Sequence, residues 1–81
     1  MLQYFKVEFF RGVPGFGPFV HVLANHSDDA AILAKAQRIT AGNEDHAIEH
    51  VWQVKDEALL EKVKPLASVG LPRIFDIDSV S

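Results

Sequence analysis

The sequence predicts an α+β domain: an antiparallel sheet built from a β-hairpin and a third strand, with one main helix on one face and a short C-terminal helix and edge strand. Three observations predict it. Residues alternate with period two on both sides of a Gly/Pro-rich loop, a capped segment of helical periodicity follows, and alternation then returns. All 81 residues are expected to form one domain, because a chain this short buries only about 60% of the surface its unfolded form exposes and leaves no room for a second domain.

Taken in order, Tyr4 to Phe10 places Phe5, Val7 and Phe9 on one side of a strand and Tyr4, Lys6, Glu8 and Phe10 on the other. A second strand from Phe19 to Ala24 divides Val20, Val22 and Ala24 from Phe19, His21 and Leu23. The loop G-V-P-G-F-G-P-F, Gly12 to Phe19, joins them as a hairpin longer than the tight two-residue type. Ser27 is a helix N-cap candidate, and Asp28 and Asp29 suit the positive end of the helix dipole. The helix runs to about Ala41, with Ile32, Leu33, Ala36, Ile39 and Thr40 as its apolar stripe and Gly42 or Asn43 as its stop. A third strand covers Ala47 to Lys55. In it Ile48, His50, Trp52 and Val54 share a face, and Trp52 is the expected centre of the core. A short helix starts at Asp56 and buries Leu59, Leu60 and Val63 before Pro65 limits it. R-I-F-D-I-D, from Arg73, supplies a final edge strand. The order is β-β-α-β with an α-β tail. The sheet's second face, with Tyr4, Phe10, Phe19 and Leu23, is too apolar to be left wholly to solvent; the C-terminal helix or another chain should cover it.

Composition excludes several classes. With 48% hydrophobic and 23% charged residues the chain is of globular type. It has no cysteine, which removes disulfides, thiolate metal sites and thiol nucleophiles and suits a reducing cytoplasm. No stretch approaches the roughly 18 apolar residues of a membrane span, and the start lacks the pattern of an export signal. The expected location is therefore the cytoplasm. Net charge is -3, and the 8 basic residues form no run, which disfavours nucleic acid as a partner because such binding draws on clustered cations.

Three strings suggest catalysis and are set aside on physical grounds. The glycines of the hairpin loop resemble a phosphate cradle, but such loops open a helix whose N-H groups hold the anion, whereas this one leads through Pro18 into a strand. H-A-I-E-H, His46 to His50, matches the H-x-x-E-H of inverted zinc peptidases. That chemistry requires a helix, and on a strand the two histidines stand about 13 Å apart. I-F-D-I-D-S-V, Ile74 to Val80, looks like the first motif of haloacid-dehalogenase-type phosphotransferases, with Asp76 and Asp78 in the acidic positions. That chemistry needs a whole doubly wound domain after the motif and is not expected from these seven residues alone, and charges on an edge strand already discourage edge-to-edge pairing. No catalytic residue, metal ligand or cofactor is assigned. His21 and His26, taken with His46 and His50, leave open a looser four-histidine metal site.

The aromatic residues remain unexplained by these elements. Phe16 and Phe19 lie at or beside the hairpin tip, Phe10 and Tyr4 on the second face, and Arg11 next to the loop. These are the expected partner-binding residues, since aromatics on a rigid scaffold bury large area while freezing few rotors. The succession Y-F-K-V-E-F-F, F-V-H-V-L-A-N-H-S-D-D-A-A-I-L-A-K-A and H-V-W-Q-V-K-D resembles small bacteriophage β-hairpin, helix, strand proteins, several anti-CRISPR and other host-takeover inhibitors among them. The resemblance spans about Tyr4 to Asp56 and implies a non-enzymatic module that occupies a surface on a host protein complex. The competing expectation is a self-associating small-ligand or metal-binding protein that uses the sheet face or the histidines, a homodimer being the simplest form.

Overall fold

The computed structural model describes residues 2–13, 17–40, 42, 47–67 and 70–77. Strand β1 (Gln3–Val13) turns into β2 (Gly17–Ala24), helix α1 (Ser27–Thr40) leads to β3 (Ile48–Val54), and α2 (Glu57–Val63) runs through a 3-10 turn (Lys64–Leu66) to β4 (Arg73–Phe75). The strands form one antiparallel sheet in the order β3-β1-β2-β4. The α+β architecture expected from the alternation is therefore the one observed.

This strand order dictates where the helices go. β2 and β3 flank β1, so the connection through α1 must cross over β1, and it does so on the face carrying Phe5, Val7 and Phe9. β3 and β4 are the two edges, so the α2 connection must cross both central strands, and it does so on the opposite face. Each face of the sheet thus acquires its own core, as apolar faces in layered domains must.

The first core joins Phe5, Val7, Phe9, Val20, Val22 and Ala24 to Ala30 and Ala34 of α1, with Leu33, Ile48, Val51 and Ile74 at its margin. The buried stripe of α1 is Ala30, Ala34 and Arg38, not the predicted Ile32, Leu33, Ala36, Ile39 and Thr40, of which only Leu33 packs inward. Ile32 and Ile39 are 66% and 54% exposed. Ala30 and Ala34, both completely buried, are the side chains of α1 that meet the sheet, and the isoleucines lie off that line of contact. Arg38 completes the stripe by laying its guanidinium 4.5 Å from the Phe9 ring centroid, a cation-π contact beneath the helix end. Burial lowers its pKa.

Local signals at the helix ends operate with one change. His26, rather than Ser27, holds the cap position of α1. Its carbonyl accepts from the Ala30 N-H at 3.1 Å and its ring Nδ1 accepts from the Asp28 N-H at 3.1 Å, the work expected of a serine oxygen. Gly42 adopts φ +77° past the helix end and donates to the Ile39 carbonyl at 3.0 Å, as a left-handed stop requires. Asp56 caps α2, its Oδ1 accepting from the Leu59 N-H at 3.1 Å.

The second core contains Tyr4, Leu23, Val63 and Phe75, surrounded by Leu2, Val54, Leu59, Leu60, Leu66, Ala67 and Ile77. Val63 is completely buried, worth about 1.5–3 kcal/mol, and fastens α2 to the sheet. Arg73 adds a polar tie by donating from its guanidinium to the Leu66 carbonyl. Trp52, expected at the centre of the core, lies outside both cores and is 44% exposed. Ile48 departs from its expected face as well. Along most of β3 the pairing with β1 is regular, but Glu8 opposes His50 while Phe9 opposes Ile48, so one extra β3 residue, Glu49, bulges there. The bulge reverses the alternation and turns Ile48 into the first core.

The buried stripe of α1 makes a quantitative prediction for urea unfolding. Ala34→Leu should cost about 1–3 kcal/mol by overpacking the helix-sheet gap. Ile32→Ala and Ile39→Ala should each change stability by no more than about 0.5 kcal/mol. Equal losses from the three substitutions would contradict the observed orientation of the helix.

Candidate functional site

Cross-strand partners share a face, so the register writes the second face as rows. The first row is Val54, Tyr4, Leu23 and Arg73; the second is Trp52, Lys6, His21 and Phe75; the third is His50, Glu8 and Phe19. Helix α2 and the 3-10 turn cover the first row and the Phe75 end of the second. The uncovered part consists of Trp52, Lys6, Phe19, Glu8 and His50, with His21 at the boundary.

This uncovered half is internally ordered. The Lys6 ammonium lies 4.2 Å from the Phe19 ring centroid and 5.8 Å from that of Trp52, so the two rings flank a cation. Such contacts are worth about 0.5–1 kcal/mol at exposed positions. The Phe19 and Trp52 rings are 6.5 Å apart, and Trp52 stands 5.6 Å from the His50 ring. Tyr4 supports the boundary from below: its hydroxyl lies 2.6 Å from His21 Nδ1 and its ring meets Phe75 edge-on at 5.0 Å. With a neutral imidazole the phenol donates to Nδ1. Burial raises the Tyr4 pKa, which keeps that donor protonated.

The expected partner-binding residues fall into three groups. Phe19 is half-buried on the uncovered face. Phe10 is 66% exposed, just past the bulge, where its N-H donates to the Ala47 carbonyl. Tyr4 is 2% exposed and serves the second core; α2 lies over it, so its ring is not displayed. Phe16 lies outside the described residues, as does the side chain of Arg11. Trp52, Lys6 and His50 join the site without having been expected there. Trp52 and His50 are two apart on one strand, and so polar a neighbour on the same face was the available signal that the indole faces outward.

The described residues of the motif strings lie on strands or next to them. Gly17 opens β2, and no helix follows the glycine loop. Glu49 and His50 lie on β3, and His46 is outside the described residues. Asp76 follows the short edge strand β4, and Asp78 is also outside the described residues. Elsewhere, an open groove of about 480 Å³ lies between Gln3, Gln53, Val54 and Lys55 on one side and Glu57, Leu60, Glu61 and Lys64 on the other. Its two lysines and two glutamates give it no net charge to select a ligand. Among the described residues, no helix is long and apolar enough to cross a membrane.

No family model matches the chain, and no curated protein or solved structure matches it significantly. The molecule is defined by its architecture: a four-stranded α+β module with α1 packed on one face of the sheet and the other face roofed only over one end.

Tyr4 is the single tyrosine in the sequence, so phenolate absorbance reports it alone. Its folded pKa is raised, so its contribution to stability is whole below the ordinary tyrosine value of about 10 and is lost as pH rises through the folded value. Tyr4→Phe should lose about 0.5–1.5 kcal/mol at neutral pH with the hydrogen bond to His21 and should unfold less steeply than the parent above about pH 10. An unshifted phenolate titration in the folded protein would contradict this placement of the ring.

Proposed function

We propose that the chain is a non-enzymatic protein-binding module that docks through the uncovered half of its second sheet face, with Phe19 and Trp52 as anchors. One observation carries the reading: two large rings are displayed beside each other on a rigid sheet, held about the Lys6 ammonium. Rings fixed by strands lose little freedom on binding, and a lysine among them provides directional recognition at the same spot. Phe10 extends the apolar surface along β1. The mixture of rings, one cation and the Glu8 carboxylate suits a protein surface. A nucleic acid would meet Glu8 and a chain of net charge -3, which oppose its phosphates.

The resemblance to small bacteriophage inhibitors makes a host protein complex the partner class to test first, with the module acting by occupying a surface. Affinity capture on the immobilised protein, followed by titration of the captured partner, tests the reading. Trp52→Ala should weaken binding by about 30-fold, the effect of a 2 kcal/mol hot spot. Phe19→Ala should weaken binding as well, although it is half-buried and also removes a ring from beneath Lys6. Trp52→Ala should keep the parent's far-ultraviolet circular dichroism. Retained affinity in a folded Trp52→Ala protein would overturn the assignment of the face.

A further inference from the structure

We propose that Glu8, Glu49 and His50 form a binding site for one divalent transition-metal ion of the zinc type, at the β3 edge beside the aromatic patch. The donor atoms of the three side chains all lie within 4.8 Å of one another, and His50 Nδ1 is 3.7 Å from Glu8 Oε1. Donors on a tetrahedral zinc with bonds of about 2.0–2.2 Å are about 3.4 Å apart, so small side-chain rotations close the site. Those rotations are available because Glu49 and His50 are exposed.

The bulge creates this grouping. In a regular strand Glu49 and His50 would point to opposite faces, and Glu8 could meet only one of them. Because two β3 residues oppose one β1 residue at this point, both reach Glu8. Bulges are used elsewhere to re-aim side chains next to functional sites. Charge points the same way. Two carboxylates are brought together with an imidazole, while Lys6, the cation nearest along β1, is turned toward the Phe19 ring. A bound divalent ion would relieve that repulsion. Imidazole selects for zinc, copper, iron and nickel over magnesium and calcium, and the carboxylates fill a mixed N/O set. Three protein donors leave a position for water. The site takes two residues of the H-A-I-E-H string, but its third donor comes from the neighbouring strand, so the helical spacing of the peptidase motif is not needed.

Isothermal titration of the full chain with zinc chloride, in a buffer that does not chelate, tests the proposal. The parent should bind one zinc per chain, more weakly on acidification because protons compete for the imidazole. His50→Ala and the double substitution Glu8→Gln, Glu49→Gln should each lower the affinity by about 10-fold or more, since even outer-shell changes cost that much at metal sites. His26→Ala, distant on the α1 cap, should leave it unchanged. Zinc-induced amide shifts in the parent provide a readout that requires no substitution; they should centre on Glu8, Glu49, His50 and Trp52. The proposal is overturned by absence of zinc binding in the parent, by affinity that the site substitutions leave unaltered, or by shifts centred on His26 or His21.

Discussion

The length of α2 is the constraint on which the rest of the surface depends. Seven residues extend about 10 Å, whereas four strands at ordinary spacing make a sheet about 14 Å across. β1, with 11 residues, is several times longer than the helix. Pro65, without an N-H, sits in the 3-10 turn that replaces further α-helix. The second crossover therefore roofs Tyr4, Leu23, Val54 and Phe75 and leaves the Trp52, Lys6, Phe19 and His50 end without cover. The first crossover does not have this problem. α1 has 14 residues, enough to span the sheet, and its alanine stripe packs on the first core.

Given an uncovered apolar end, the chain spreads its charge and aromatic groups to stabilise it. Lys6 sits between two rings, and Tyr4 passes from the buried row to the boundary through its bond to His21. The same partial cover that protects the second core presents Trp52 to solvent. Structural economy and the proposed docking face thus have one origin: a roof shorter than the floor beneath it.

A single extra residue in β3 has effects of comparable size. The bulge at Glu49 turns Ile48 into the first core, where it closes the edge beneath α1, and draws Glu49 and His50 toward Glu8. Bulges also blunt edge strands against pairing with other chains, and β3 is one of the two edges of the sheet. Core closure, edge protection and the grouping of three potential ligands thus follow from one irregularity.

Much of the fold was legible in the residues, and the reason is that the signals concerned are local. Alternation in Tyr4 to Phe10 and Phe19 to Ala24, the left-handed glycine at Gly42, the Asp56 cap and the break at Pro65 each act within a turn or a strand pair. They determined the elements, their order and the α+β class. The candidate site was only partly legible. Phe19 and Phe10 stood out as aromatics without a core to fill and do lie outside both cores, but Tyr4 was counted with them and Trp52 was given to the core. Only the tertiary structure decided these, because burial depends on which surfaces meet and not on the residue's own character. The register between β1 and β3 puts Tyr4 and Trp52 on the same face; α2 covers one and stops before the other. The same holds for α1, where alanine proved to be the buried residue and isoleucine the exposed one, since which side of the helix meets the sheet is set by the crossover and is not written in the helix.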